Sequence, residues 1–408
     1  MDVHLALPLL AGLSPAQFMR RHWQKKPLLV RGAIADFKPL LSRAELFKLA
    51  ASEGVESRLI VKNGDKTAGG WRMKSGPFAP RGLPPVSKPG WTLLVQGVDG
   101  RHSAVHQWLQ QFRFVPDARL DDVMISYATP DGGVGPHFDS YDVFLFQASG
   151  SRRWKISQQR DLTLQLNVPL KILQNFEPEE EFLLEAGDML YLPPRYAHDG
   201  VAESTVDAHG RAQDCMTYSI GFKAPVQAEL TAELLHKLAE FGEDEDADSG
   251  NHRPPKMYRD PSQAATSQPA GLPAGLITFA TDAVRQALND PLAIACALGE
   301  VMTAPKAKVW FEQTGADWDG TANGQSLVLD AKTRMMYDAD HVFINGESYR
   351  AKGRDAQLMQ LLADQRALPA NAFAKASSGA LALLADWHAE GWMHLFMEQA
   401  GDKQRIKY

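Results

Sequence analysis

One eight-residue stretch of this 408-residue chain concentrates side chains able to hold a metal: Gly132-Gly133-Val134-Gly135-Pro136-His137-Phe138-Asp139. It lies between two strand-like runs, Asp122–Tyr127 and Asp142–Gln147, so it falls at a turn and the start of a strand. Side chains alternate in direction along a strand, so a histidine and an aspartate two apart share a face. A third ligand has to come from elsewhere, and His198 fits. It closes the segment Tyr191-Leu192-Pro193-Pro194-Arg195-Tyr196-Ala197-His198, where paired prolines mark a strand end and a rigid turn able to aim the imidazole inward. Two imidazoles and one carboxylate on one face leave three open positions on an octahedral ion, an arrangement typical of non-haem Fe(II) oxygenases. Those positions let a bidentate oxo-acid and O2 bind together.

A His-x-acid pair is weak evidence by itself. With 12 histidines and 49 acids in 408 residues, about one match is expected by chance, and a second is present at His388-Ala389-Glu390. Its context predicts a helix, where residues two apart face nearly opposite ways, so it is set aside as a site.

The elements that must position the first set follow from pattern. Residues 1–60 suggest mainly helices: Ser14 precedes Pro15 as an N-cap, and Ser42 with Glu45 forms a capping box. From about 58 to 225 short β-like runs are broken by Gly and Pro, predicting a sandwich or barrel. The runs are 58–61, 91–96, 122–127, 142–147, 153–156, 189–192 and 216–222. A helical pattern over 228–238 follows Pro225, and the acidic run Glu243–Asp248 with the Pro/Ser/Gln-rich stretch to about Pro273 suggests a solvated linker. Another helix is expected over about 275–302. The remainder predicts a small α+β module, winged-helix-like, with strands at 326–329 and 341–344, a tight turn at Asn345-Gly346, and helices at about 354–366 and 377–391.

Composition narrows the class. Hydrophobic residues are 44% and charged residues 23%, ordinary for a globular chain with a real core. A net charge of −6 excludes a uniformly basic nucleic-acid coat, though not a local basic surface. The two cysteines, Cys215 and Cys296, make neither a disulfide framework nor a cysteine zinc site, and fit a reduced compartment. The N-terminus lacks the basic start of a signal peptide, and no run approaches a membrane span, so a cytoplasmic location is expected.

Taken together, Gly-Val-Gly-Pro-His-Phe-Asp at 133–139, Tyr141-Asp142-Val143-Phe144, Arg152-Arg153-Trp154-Lys155, Glu185-Ala186-Gly187-Asp188-Met189-Leu190-Tyr191-Leu192-Pro193-Pro194, His198 and Tyr218-Ser219-Ile220-Gly221-Phe222 resemble the JmjC/cupin ribosomal oxygenases. The segments Arg21–Pro27 and Asp121–Ser126 add to the likeness, which covers roughly residues 15–225. The resemblance implies a mainly β fold with α: a double-stranded β-helix (cupin/JmjC jelly roll), then a helical region and a winged-helix-like module. The corresponding domains are 1–225 with the N-terminal helices, 226–304 as a helical dimerisation region with the acidic linker, and 305–408. It implies Fe(II) on His137, Asp139 and His198, with 2-oxoglutarate and O2 as co-substrates. It implies that Arg152 pairs with the distal carboxylate of 2-oxoglutarate and that Ser126 helps hold it. Arg153, adjacent on the strand, would face the other way. Two departures stand out: Thr217 where members often have Asn, and an apparent insertion over about 203–214.

The activity implied is hydroxylation of a protein, the β-carbon of an arginine in large-subunit ribosomal protein number sixteen, by a homodimer. Asp121, Asp122 and Asp142 lie close to the motifs, and an acidic pocket would suit a cationic side chain. The competing readings are a JmjC hydroxylase or demethylase with another protein or small-molecule substrate, and a non-catalytic cupin binding protein or regulator. Residues 305–408 carry 12 Lys/Arg against 13 Asp/Glu, a poor balance for phosphate contacts by the C-terminal module, and direct nucleic-acid binding by the protein is not expected.

Overall fold

Burial along the β-like runs depends on what lies against each face of the strand. The computed structural model describes residues 1–62, 70–207, 209–248, 257–261, 268, 270–314, 318, 324–373 and 375–397. Its first eleven strands are β1 (Leu28–Val30), β2 (Ser57–Lys62), β3 (Trp71–Ser75), β4 (Trp91–Val95), β5 (Leu120–Ala128), β6 (Asp142–Ser149), β7 (Arg152–Ser157), β8 (Glu180–Leu184), β9 (Met189–Leu192), β10 (Ala197–Ala202) and β11 (Cys215–Phe222). Three helices accompany them: α1 (Pro15–Arg21), α2 (Arg43–Ala50) and α3 (Ser103–Leu109).

A large antiparallel sheet runs in the order β1-β9-β6-β11-β5-β4-β2-β3, and a smaller one in the order β10-β7-β8. The central strands β6 and β11 are buried almost end to end, because both their faces are covered. One face packs on the helices through Phe18, Trp108, Phe144, Phe146, Tyr218 and Phe222. On the other, Val143, Leu145 and Leu190 meet Trp154, Ile156 and Leu184 of the smaller sheet. This is the two-sheet jelly roll the sequence resemblance implied.

The predicted capping box of Ser42 with Glu45 is present, and the predicted Ser14 cap proves to be a second box, with Gln17. Four of these eleven strands escaped the sequence reading: β1, β3, β8 and β10. β1 is three residues long and β3 and β8 are edges rich in charge. β10, Ala-His-Asp-Gly-Val-Ala, has little intrinsic strand preference and is held by six register pairs to β7. Residues 1–60 are therefore less helical than expected, holding β1 and most of β2.

The described residues divide into two compact units, Met1–Ala224 with Ala307–Phe311, and Pro225–Lys306 with 312–397. The second unit contains α4 (Gln227–Asp248), α5 (Ala274–Leu288), α6 (Pro291–Thr303), β12 (Gln325–Leu329), β13 (Met335–Tyr337), β14 (His341–Ile344), β15 (Glu347–Arg350), α7 (Gly353–Gln365), β16 (Ala367–Leu368), α8 (Ala370–Phe373), α9 (Ser378–Ala389) and β17 (Met393–Met397). The helix α4 continues through the acidic run to Asp248, where a linker was expected; Glu and Ala are good helix formers. Much of the remaining linker, 249–256, 262–267 and 269, lies outside the described residues. The single helix expected over 275–302 is two. Pro291 starts α6 at its first position, and Asp290 caps it by accepting from the Leu292 N–H at 2.8 Å. Asn345 and Gly346 both have positive φ, 49° and 92°, and close the β14–β15 hairpin as predicted.

Asp142, expected near an acidic pocket, instead faces the helical layer and is fully buried. It accepts from the Tyr191 hydroxyl at 2.6 Å and the Gln24 amide at 3.0 Å, and Arg119 lies at 3.4 Å. Asp142→Ala would strand these donors, and is expected to lower unfolding stability by about 3 kcal/mol in urea denaturation. A loss within experimental error would remove this cluster from the core's support.

Candidate metal and oxo-acid site

The three sequence-predicted ligands converge. One potential ligand atom from each of His137, Asp139 and His198 lies within 4.8 Å of the others, the one such cluster among the described residues. Asp139 Oδ2 sits 3.7 Å from His198 Nε2, and the two imidazole centroids are 4.2 Å apart. Backbone pairing explains the convergence. The His137 N–H donates to the His198 carbonyl at 2.9 Å, and the His198 N–H donates back to His137 at 2.8 Å. His137 thus adds one antiparallel rung to β10 at the open side of the smaller sheet.

The second loop is clamped to the first. Pro193 and Pro194 do form the expected rigid turn, with the Tyr196 N–H returning to Pro193. Arg195 takes a positive φ of 65°, the third position of a type II turn where glycine is usual. The Arg195 N–H donates to the Asp139 carbonyl at 2.7 Å, and its guanidinium lies over Phe138.

Both imidazoles are oriented by their other nitrogen. His137 Nδ1 faces the Gly135 carbonyl at 2.8 Å, and His198 Nδ1 faces the Tyr196 carbonyl at 2.9 Å. A donated Nδ1–H fixes the tautomer in which Nε2 carries a lone pair toward the cluster. Burial, reinforced by the neighbouring His137, pushes the pKa of His198 down to about 4, so it stays neutral and able to ligate. Gly135 supplies its carbonyl from φ 80°, with Trp71 and Ile172 so close that an added Cβ would lie 2.6 Å from Ile172.

Deeper between the sheets, Arg152 is 3% exposed. Its Nε has no hydrogen-bond partner, Nη2 reaches only Cys215 Sγ at 4.0 Å, and no carboxylate pairs with it among the described residues. Such a buried cation calls for an anion. Arg152 lies on the same face of the β7–β10 ladder as His198, whose register partner is Ile156; Arg153 faces outward to Glu203 and Glu181, as the alternation predicted. Ser126, buried on β5 opposite Thr217, contacts the Thr217 carbonyl at 3.5 Å. The shorter Thr217 is satisfied by donating to Gln147 Oε1 at 2.9 Å, and Gln147 Nε2 reaches Cys215 Sγ at 3.4 Å. Within the apparent insertion over about 203–214, Val206 and Ala212 form one antiparallel bridge.

Sequence reasoning did not single out Tyr141. Partial burial, then the charges of Asp139, Asp122 and Asp121, push its phenol well above the usual value. Asp122, buried beside it, accepts from Gln96 Nε2 at 3.1 Å. The rejected pair at His388 is structural: the His388 carbonyl accepts from the Thr314 hydroxyl at 2.9 Å, and its ring packs on Trp318.

A two-sheet barrel with His-x-Asp and a distant His on one inner face defines a JmjC-type oxygenase domain, and the JmjC domain model matches residues 107–230. A ROXA-like winged-helix model matches residues 286–394. The chain is 31% identical over 368 residues to the ribosomal protein uL16 3-hydroxylase of Escherichia coli, spanning 88% of this chain and 91% of that one. Over 217 residues it is 32% identical to a probable ribosomal oxygenase of Haemophilus influenzae, about half of each chain. The solved structure of E. coli YcfD in complex with cobalt and 2-oxoglutarate superposes with a TM-score of 0.73 at 29% identity, covering 93% of this chain and 97% of that one. The chain belongs to the JmjC ribosomal oxygenase family.

Replacing Gly135 with alanine must move the carbonyl that orients His137. Affinity for a divalent metal, titrated anaerobically with cobalt, is expected to fall about 10- to 100-fold. Unchanged affinity would show that this carbonyl does not orient the ring.

Proposed function

We propose that the chain is an Fe(II)- and 2-oxoglutarate-dependent protein hydroxylase that acts on an arginine β-carbon of large-subunit ribosomal protein number sixteen. The observation that carries this reading is the pairing of a metal-competent His137–Asp139–His198 face with a buried Arg152, with no carboxylate in ion-pair range among the described residues, between the same two sheets. With iron and 2-oxoglutarate bound, O2 would supply the oxidising equivalents for C–H hydroxylation, one oxygen atom going to the substrate and the other to the oxo-acid as it loses CO2.

This chain's residues do the rest. His137 and His198 present Nε2 lone pairs and Asp139 one carboxylate. Arg152 takes the distal carboxylate of 2-oxoglutarate with its planar fork, and the Ser126 hydroxyl supports that carboxylate. The apolar walls Trp154, Leu145 and Leu190 keep water from the space between the sheets. Asp121, Asp122 and Tyr141 give the site an acidic, hydrogen-bonding neighbourhood that suits a guanidinium. The name of the E. coli relative supports the ribosomal protein as substrate.

We take the working form to be a cytoplasmic homodimer. No described helix is long and apolar enough to cross a membrane. The helix α5 has no buried residue and exposes Leu276, Ile277, Val284 and Leu288, an apolar face for a second copy. Ile277→Asp should shift the mass in light scattering from dimer to monomer; a dimeric variant would move the interface elsewhere.

Turnover on a peptide carrying the target arginine should add one oxygen atom by mass spectrometry, and none in His137→Ala. Consumption of 2-oxoglutarate with no peptide mass change would reject the substrate. Arg152→Ala should raise KM for 2-oxoglutarate about 10- to 100-fold, as loss of a charged hydrogen-bonded pair requires, with cobalt affinity unchanged. An unaltered KM would remove Arg152 from the oxo-acid pocket.

A further inference from the structure

The chain's net charge of −6 hides one segment of opposite sign. Between Ser57 and Val98 the sequence holds seven basic residues and one acid, Asp65; at the chain's average of 49 acids in 408 residues, about five would be expected. The described part of this segment folds into the β2–β3 edge of the large sheet and the loop leading to β4. β3 ends the sheet, with β2 as its neighbour and its other side unpaired among the described residues.

Along this edge Lys62, Arg72, Lys74, Arg81 and Lys88 are all exposed. Arg58, half-buried, has Glu56 at 3.8 Å, whereas Lys62, Lys74, Arg81 and Lys88 have no carboxylate in ion-pair range among the described residues. Lysine on an edge strand also discourages edge-to-edge pairing. That role accounts for Lys74, but not for Arg81 and Lys88 in the following loop.

The basic edge begins at the site. Trp71, the first residue of β3, packs against Gly135, two residues before His137, and the Lys62 ammonium lies 5.6 Å from the Trp71 ring. The Lys62 N–H also donates to the Gly90 carbonyl at 2.9 Å, which brings the Lys88 loop back beside it. A partner following these charges would therefore run from beside the metal cluster outward along β3.

We propose that this edge binds the phosphate backbone of an RNA strand, so that a protein substrate is engaged while it lies beside RNA. Successive exposed cations on an extended edge match a regularly spaced polyanion better than a single acidic side chain. The choice of RNA rests on the ribosomal substrate proposed above; the positive edge itself does not.

The test is fluorescence anisotropy of the full-length protein with a labelled single-stranded RNA of about 20 nucleotides, without peptide. Wild type is expected to bind, and to weaken about 50-fold between 50 and 200 mM salt, as four phosphate contacts require. The variant Lys74→Glu/Arg81→Glu/Lys88→Glu should lose at least tenfold in RNA affinity, with thermal midpoint and turnover on an isolated peptide unchanged. No RNA binding by wild type at 50 mM salt, or equal binding by the variant, would overturn the proposal. Tighter binding to polyglutamate or to anionic vesicles than to RNA would also overturn it, assigning the edge to an acidic protein or a lipid surface. Because binding is read without peptide, failure of the hydroxylase reading would leave this result intact and separately visible.

Discussion

Two reciprocal backbone hydrogen bonds hold the site together: His137 to His198 and His198 to His137. They join residues from loops far apart in sequence into one antiparallel rung. In an antiparallel pair, opposed residues project to the same side, so the rung alone aims both imidazoles inward. Asp139 then follows by period-two alternation, and the Arg195 N–H secures its carbonyl from the other loop. The large sheet, the helices behind it and the smaller sheet all serve to keep that rung in register.

Much of this was legible in sequence because it depends on spacing. His137 and Asp139 share a face by alternation, the same rule separates Arg152 from Arg153, and β6 and β11 show as short strand-like runs at 142–147 and 216–222. What was not legible depends on partners distant in the chain. Nothing in the sequence near Asp142 says that Gln24 and Tyr191 will consume its carboxylate. The carbonyls of Gly135 and Tyr196, which set the histidine tautomers, are present at every residue and leave no signature. β10 carries a ligand, yet its composition is that of a loop, and only pairing with β7 makes it a strand. The break between α5 and α6 was visible at Pro291, where a strong helical period on both sides concealed it.

Charge tells a similar story of sums against positions. The whole chain and its C-terminal module are close to neutral or acidic, and both totals argue against a polyanion-binding coat. The β2–β3 edge is basic because its lysines and arginines are gathered where acids are absent, a feature no total can register. Beside it, Asp121 and Asp122 give the neighbourhood of Tyr141 the opposite sign. A cationic side chain and a phosphate strand could thus be received side by side, each by its own complement.

The solitary guanidinium of Arg152 carries a consequence for the life of the protein outside catalysis. A cation shut away from water without a counter-charge penalises the folded state. Any dicarboxylate that reaches it repays folding free energy as well as filling a pocket, by about 2.7 kcal/mol at a hundredfold excess over Kd. The chain's resistance to unfolding should therefore rise whenever that pocket is filled.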